Sequence, residues 1–246
     1  MCEGSGGKAA DGWCSWIDIG TQVSGKALDQ WIDMSHPLSA KMPCAVAFQA
    51  PRFELIKARP KDPFNVTELQ MIVHAGTHID APRHMFNDGP AFDEIPLDRL
   101  HGPGVVWHID KGPEGLIEPE DFECARPRLR PGDIVALDTG WASHFGTDLY
   151  DRHPSLTASA AQWLVKHKVK LLACDFATPD LVYDRRAVGF DWPVHRTLLS
   201  NGILICEHLV GRDVLRGKRV EFAFCALNIC CSDGAPARVI ARPIAD

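Results

Sequence analysis

Between residues 74 and 84 the chain reads His74-Ala75-Gly76-Thr77-His78-Ile79-Asp80-Ala81-Pro82-Arg83-His84, three imidazoles and a carboxylate in a short span. Two His at i and i+4 would share a helix face, but Gly76, Pro82 and the β-branched Thr77 and Ile79 disfavour a helix here. A turn leading into an extended segment fits better. Side chains then repeat every two residues, so His78 and Asp80 project to the same side, and a turn at Gly76 folds His74 back beside them. Two imidazoles and a carboxylate converging in this way form a facial set. It suits Zn(II), Mn(II) or Fe(II) and leaves open positions for water and substrate. The competing reading is a group of hydrogen-bonded surface histidines around a turn, but a cation organises such crowding directly.

A second feature lies far downstream. Glu207 ends the apolar run Ile203-Leu204-Ile205-Cys206, where a buried carboxylate is costly unless paired or metal-bound. His195, twelve residues earlier on a candidate helix, reaches it if helix and strand fold back on each other. A salt bridge to an Arg, or exposure at the strand end, is the alternative for Glu207.

The elements that must position these groups are legible in outline. Val105-Val106-Trp107-His108-Ile109, Ile134-Val135-Ala136-Leu137 and Leu171-Leu172-Ala173-Cys174 are short apolar runs, the pattern of strands covered on both faces. Between the last two, Ser155 or Thr157 caps a predicted helix on which Ala160, Ala161, Leu164 and Val165 recur at helical spacing, with Lys166 and Lys168 near its end. Strand, helix, strand implies a crossover unit and an α/β fold. A second predicted helix runs from about Pro193 to Ser200, stopped by Asn201-Gly202, and feeds the strand Ile203 to Glu207.

With 246 residues, 46% hydrophobic, the chain buries one sizeable core, and no repeat or linker divides it. One domain is expected over 30–246, with 1–29 as an N-terminal extension whose Trp13 and Trp16 hint at packing on the body or on a second subunit. A net charge of -6 argues against nucleic acid. No apolar run approaches the roughly 18 residues of a membrane span, and no secretory signal is evident, so a cytoplasmic location is expected. Nine Cys, with no CxxC pair, argue against a disulfide framework or a Cys-built zinc ribbon and are expected mostly as buried apolar residues. A Cys-nucleophile hydrolase on Cys206, Cys230 or Cys231 is a competing class that would need an activating base.

The stretch His74 to His84 matches H-x-G-T-H-x-D-x-P-x-H without departure. In this the chain resembles the metal-dependent cyclase family that contains bacterial kynurenine formamidases and isatin hydrolases. Further landmarks follow in the family's order: Asp33-Met34-Ser35-His36-Pro37-Leu38, Asp138-Thr139-Gly140-Trp141, the Asp175 segment, His195 with Glu207, and Asp233-Gly234-Ala235-Pro236-Ala237-Arg238. The resemblance implies a swivelling β/β/α fold of the α/β class, a small-molecule substrate, and a homo-oligomer, dimer or tetramer. It implies one or two divalent ions, Zn(II) or Mn(II). Residues matching His74, His78 and Asp80 hold the first and those matching Asp80, His195 and Glu207 the second. The residue matching His84 is the general acid and base.

The implied activity is hydrolysis of a C–N bond in a small amide or cyclic amide, with N-formylkynurenine cleavage, lactone hydrolysis, or metal binding without turnover as alternatives. The formamidases carry a Trp in a Pro-x-Trp-Pro-Gly-Asp-like segment. Here Met42-Pro43-Cys44-Ala45-Val46-Ala47-Phe48 stands in its place, with Ala45 at the Trp position, which favours another amide. Phe48, Phe86 and Trp141, with Trp31 and Trp192, are candidate aromatic pocket walls, though core packing suits such residues equally. Arg83 is a candidate for holding a substrate carboxylate, with plain solvation the simpler expectation.

Overall fold

A computed structural model of the protein describes residues 30–44 and 48–245; the N-terminal extension, with Trp13 and Trp16, and Ala45 lie outside these residues. The strands are β1 (Ile32–Asp33), β2 (Arg52–Lys57), β3 (Val66–Gln70), β4 (His78–Asp80), β5 (His101–His108), β6 (Leu116–Ile117), β7 (Ile134–Asp138), β8 (Ser155–Leu156), β9 (Leu171–Cys174), β10 (Leu204–Glu207), β11 (Lys218–Ala226) and β12 (Gly234–Pro243). The α-helices are α1 (Pro119–Cys124), α2 (Ala158–Lys166) and α3 (Pro193–Ser200).

Eight strands form one mixed sheet in the order β1-β12-β11-β5-β7-β9-β10-β4, and β4 pairs again with the start of β12, closing the sheet into a barrel. The parallel stretch β5-β7-β9-β10 is the expected crossover part. Its apolar runs are buried on both faces because alternate residues serve two cores. Ile134, Ala136, Leu171, Ala173, Leu204 and Cys206 fill the barrel interior. Val135, Leu137, Leu172, Cys174 and Ile205 point outward, under the helices.

Thr157 caps α2, its hydroxyl accepting from the Ala160 amide at 3.2 Å. α2 buries Ala160, Ala161 and Leu164, and α3 buries Val194, Leu198 and Leu199 against the same outer face. Each large aliphatic side chain so covered stabilises by about 1.5–3 kcal/mol. Arg219 on β11 forms a two-pronged pair with Asp133, immediately before β7, at 2.7 and 3.0 Å, both side chains almost fully buried.

The antiparallel hairpin β2–β3 stands apart from the sheet. Phe53 faces Leu69 and Leu55 faces Thr67 across it, which puts Phe53, Leu55 and Leu69 on one face; Leu55 and Leu69 are exposed. The cysteines depart from expectation. Of the seven described, Cys174 and Cys206 are buried, Cys44 is intermediate, and Cys124, Cys225, Cys230 and Cys231 are exposed, because they fall at the end of α1, near the end of β11 and in the turn that follows it. Among the described residues no helix is long and apolar enough to cross a membrane.

Candidate metal centre

The local order of the sequence sets the first half of the site. Gly76 takes φ +63°, and a Cβ there would meet the side chains of Leu38 and Met42 at 3.0 and 3.2 Å, so this turn needs glycine. The chain then enters β4, where Ile79 faces the barrel interior. By alternation His78 and Asp80 face out, towards the helices. β10 runs antiparallel to β4 with Glu207 opposite His78 and Cys206 opposite Ile79, so Glu207 shares that outer face. α3 packs beside β10 and brings in His195.

His78, Asp80, His195 and Glu207 are all buried. His78 Nε2 lies 3.3 Å from Asp80 Oδ1 and 3.5 Å from Glu207 Oε2; His195 Nε2 lies 3.5 Å from Asp80 Oδ2 and 3.3 Å from Glu207 Oε1. His74 Nδ1 approaches Asp80 Oδ1 at 2.7 Å. His78 Nε2, Asp80 Oδ2 and Glu207 Oε1 have no hydrogen-bond partner. Three orphaned polar atoms in so small a buried space are expensive, and a divalent cation satisfies all of them at once.

The outer nitrogens are held in the sense that ligation requires. His78 Nδ1 donates to Gly76 O at 2.7 Å, leaving Nε2 directed at the carboxylates. His195 Nδ1 lies 2.6 Å from Asp180 Oδ2, and the same carboxylate accepts from the amides of Val194 and His195 at 3.0 Å each. His74 Nε2 lies 2.8 Å from Asp233 Oδ2. His74 sits against Gly234, where an added Cβ would come within 2.8 Å of its ring, so only glycine admits it.

Electrostatics follow from this crowding. Burial opposes charge on His74, but Asp80 and Asp233 outweigh it and raise its pKa to about 9. His195 is likewise raised against its desolvation, by Asp180, Asp80 and Glu207, and Asp80 is held well below the usual carboxylate range by the three imidazoles. Burial instead lowers His84, whose side chain is about a third exposed. It stands over the cluster, 4.0 Å from the ring of His74 and 5.9 Å from that of His195, with Nδ1 3.4 Å from Asp233 Oδ2.

All six polar residues singled out in the sequence therefore meet in one place. Among the described residues, donor atoms within 4.8 Å of one another define the sets His74-His78-Asp80, Asp80-His84-His195, His74-His84-Asp233 and His78-Glu207-His208. Asp180 and His208 have no part in the ligand set read from the sequence, and Asp233 enters there only within the closing landmark. His208, in αL conformation at φ +56°, is buried with Nδ1 2.8 Å from the Tyr150 hydroxyl, and burial holds it well below the ordinary imidazole range. A carboxylate fifteen residues before His195, or one in the closing landmark, carries no spacing signal of its own.

The candidate pocket walls are not brought together. Trp141 is core: it is buried under the helices and its indole N–H donates to Tyr150 O, so it is unavailable as a wall. Phe48 is 55% exposed, beside residues outside the description. Phe86, half-buried two residues after His84, packs on the outer apolar cluster beneath Arg196. Trp192 lies edge-on to His195 at 5.6 Å, while Trp31 lies at the surface under Arg242. Arg83 is partly exposed and approaches Glu94 at 3.9 Å. Burial pushes the Cys206 thiol well up, and Asp93 and Cys231 push Cys230 up to about 11, so neither is an activated thiolate.

Residues 32–181 match the family described as putative cyclase, and the chain belongs to that family. The kynurenine formamidase of Bordetella petrii is 30% identical over 186 residues, covering 75% of this chain and 84% of the relative. The solved structure of a potential metal-dependent hydrolase with cyclase activity superposes with a TM-score of 0.73 at 26% identity, over 88% of this chain and 99% of the other. Isatin hydrolase A from Labrenzia aggregata, bound to benzyl benzoate, gives a TM-score of 0.77 at 25% identity, over 86% and 93%.

Proposed function

We propose that the protein is a hydrolase that uses one or two divalent ions, zinc or manganese, to cleave the C–N bond of a small amide or cyclic amide. The observation that carries this reading is the trio of buried, unpartnered atoms His78 Nε2, Asp80 Oδ2 and Glu207 Oε1, gathered against His195 Nε2. His74, His78 and Asp80 would hold one ion, and Asp80, His195 and Glu207 a second, with Asp80 common to both. When bound, a divalent cation polarises a carbonyl and lowers the pKa of water from 15.7 towards about 7.

The chain's own groups supply the rest. Asp233 and Gly76 O engage His74 and His78 from behind and fix their rings. His84 presents Nε2 to the space above the cluster, because Nδ1 faces Asp233. Lowered by burial, it is neutral near pH 7, accepts the proton of the attacking water at Nε2 and returns it to the departing nitrogen. A storage site has no use for such a proton carrier, which speaks against metal binding without turnover.

Cleavage of N-formylkynurenine is the second reading, favoured by the kynurenine formamidase relative. The segment Met42 to Phe48, without the formamidase Trp, favours other amides; lactones are open to the same chemistry. Assembly of identical subunits, dimer or tetramer, belongs to the same proposal, supported by the uncovered apolar face of the β2–β3 hairpin. The deciding experiment measures metal content, then screens metal-loaded and chelated protein against N-formyl aryl amines, isatin, cyclic imides and lactones. Chelator-sensitive turnover of at least one supports the proposal. Turnover of none, or activity that survives the chelator but not thiol alkylation, overturns it.

A further inference from the structure

Arg186 lies on the segment that leads into α3. Its guanidinium stacks 3.8 Å above the ring of Trp192, with Phe190 at 5.3 Å and Tyr183 at 5.8 Å. Nε donates to Leu181 O at 2.8 Å. No described carboxylate pairs with it: Asp180 and Glu207 are near enough to act on its charge, yet neither forms an ion pair, and among the described residues Nη1 and Nη2 have no acceptor. A guanidinium clamped on aromatic rings is pre-organised, and its fork matches a carboxylate. A half-buried one without an anion keeps its donors for something else.

The place of this cation is informative. Trp192, which carries Arg186 on its face, meets the His195 ring at 5.6 Å, so the guanidinium stands two ring contacts from a proposed metal ligand. The site itself is rich in carboxylates, Asp80, Glu207, Asp180 and Asp233. The proposed ions would offset these charges, and the fixed guanidinium adds attraction for an anionic substrate beside them.

We propose that Arg186 determines specificity by binding a carboxylate that the substrate carries apart from its scissile amide, so that the preferred substrates are anionic amides. Identification of the bound anion as substrate rests on the hydrolase reading above. Binding of the anion does not, and the test separates the two.

Zinc-loaded wild-type protein, Arg186→Gln and Arg186→Lys are compared on 4-formamidobenzoate, which carries the charge, and formanilide, which does not. Calorimetric titration with benzoate and benzamide runs alongside. Arg186→Gln is expected to lower kcat/KM for the anionic formamide roughly ten- to hundredfold, through KM, and to weaken benzoate by a like factor. Formanilide turnover and benzamide binding should stay within about twofold, and Arg186→Lys should recover part of the loss. Equal losses on both formamides would show that Arg186 only props the segment, and unchanged benzoate affinity would show that it binds no anion; either overturns the proposal. Should the wild type cleave neither formamide, the hydrolase reading suffers while the benzoate comparison still decides the role of Arg186.

Discussion

Replacing Asp180 with Asn keeps shape and size but exchanges one carboxylate oxygen for an NH2 group. In the native arrangement Oδ1 accepts from Val194 N at 3.0 Å, while Oδ2 accepts from His195 N at 3.0 Å and engages His195 Nδ1 at 2.6 Å. The amide can satisfy Val194, but its NH2 then faces the His195 amide, another donor, and forces Nδ1 to accept. The proton moves to Nε2, the atom aimed at Asp80 and Glu207. A charge-assisted hydrogen bond to a buried group is worth about 1.5–3 kcal/mol, and loss of an outer carboxylate typically costs a metal-binding histidine 10- to 100-fold in affinity, about 1.4–2.8 kcal/mol. The two routes agree. Competition against a zinc indicator at buffered free zinc should therefore show that Asp180→Asn weakens the step involving His195 by roughly 10- to 100-fold, with the His74-His78-Asp80 step close to wild type. Loss of the helix cap should cost the metal-free fold about 1 kcal/mol. Wild-type affinity at every step would refute this reasoning, as would equal loss at all steps, which would mark a general disruption instead of a reoriented ring.

His84→Ala should retain metal while kcat falls on the order of 10²- to 10⁴-fold, read by metal analysis and steady-state kinetics on one sample; loss of metal would make His84 a ligand instead. Asp133→Ala strands the buried Arg219 guanidinium without its carboxylate and should destabilise by about 3–5 kcal/mol in urea unfolding, whereas a change below about 1 kcal/mol would mean that water reaches the pair. His153 is buried, and desolvation holds its pKa at about 4. The unfolded chain takes up its proton near 6.5 and the folded one only near 4, so its share of stability is present above pH 6.5 and is lost as the pH falls towards 4, by up to about 3 kcal/mol. His153→Gln should accordingly flatten the decline of stability of the metal-free protein between pH 7 and 4.5, and an unchanged slope would contradict a neutral buried ring.

The part of the site that was legible in the sequence was local. His74, His78 and Asp80 lie within one glycine turn and one short strand, so alternation and that turn converge them, and a 3-10 turn over Pro82–His84 follows directly to bring in His84. His195 and Glu207 needed the family resemblance, because their meeting with β4 depends on an antiparallel pairing between segments more than 120 residues apart. Asp233 reaches His74 across 159 residues and was quoted only as part of a landmark. Asp180 reads as an ordinary loop acid until α3 turns its first amides towards it.

The fold divides in the same way. The crossover from β7 through α2 to β9 is written in apolar runs and a Thr cap, whereas closure of the barrel by β4 and β12 involves three residue pairs that no periodicity announces. Trp141 misled because it sits in a landmark motif; the loop it anchors is organised instead by Asp175, which accepts from the Thr139 hydroxyl at 2.6 Å and the Trp141 amide at 2.9 Å.

Anomalous scattering from crystals of active, metal-loaded protein, collected at the zinc and manganese edges, bears most directly on the whole account. It should give a peak bounded by His78 Nε2, the Asp80 carboxylate, Glu207 and His195 Nε2, and a matched chelated sample should lose the peak and the turnover together. A fully active crystal form with no ion among these four side chains would contradict it.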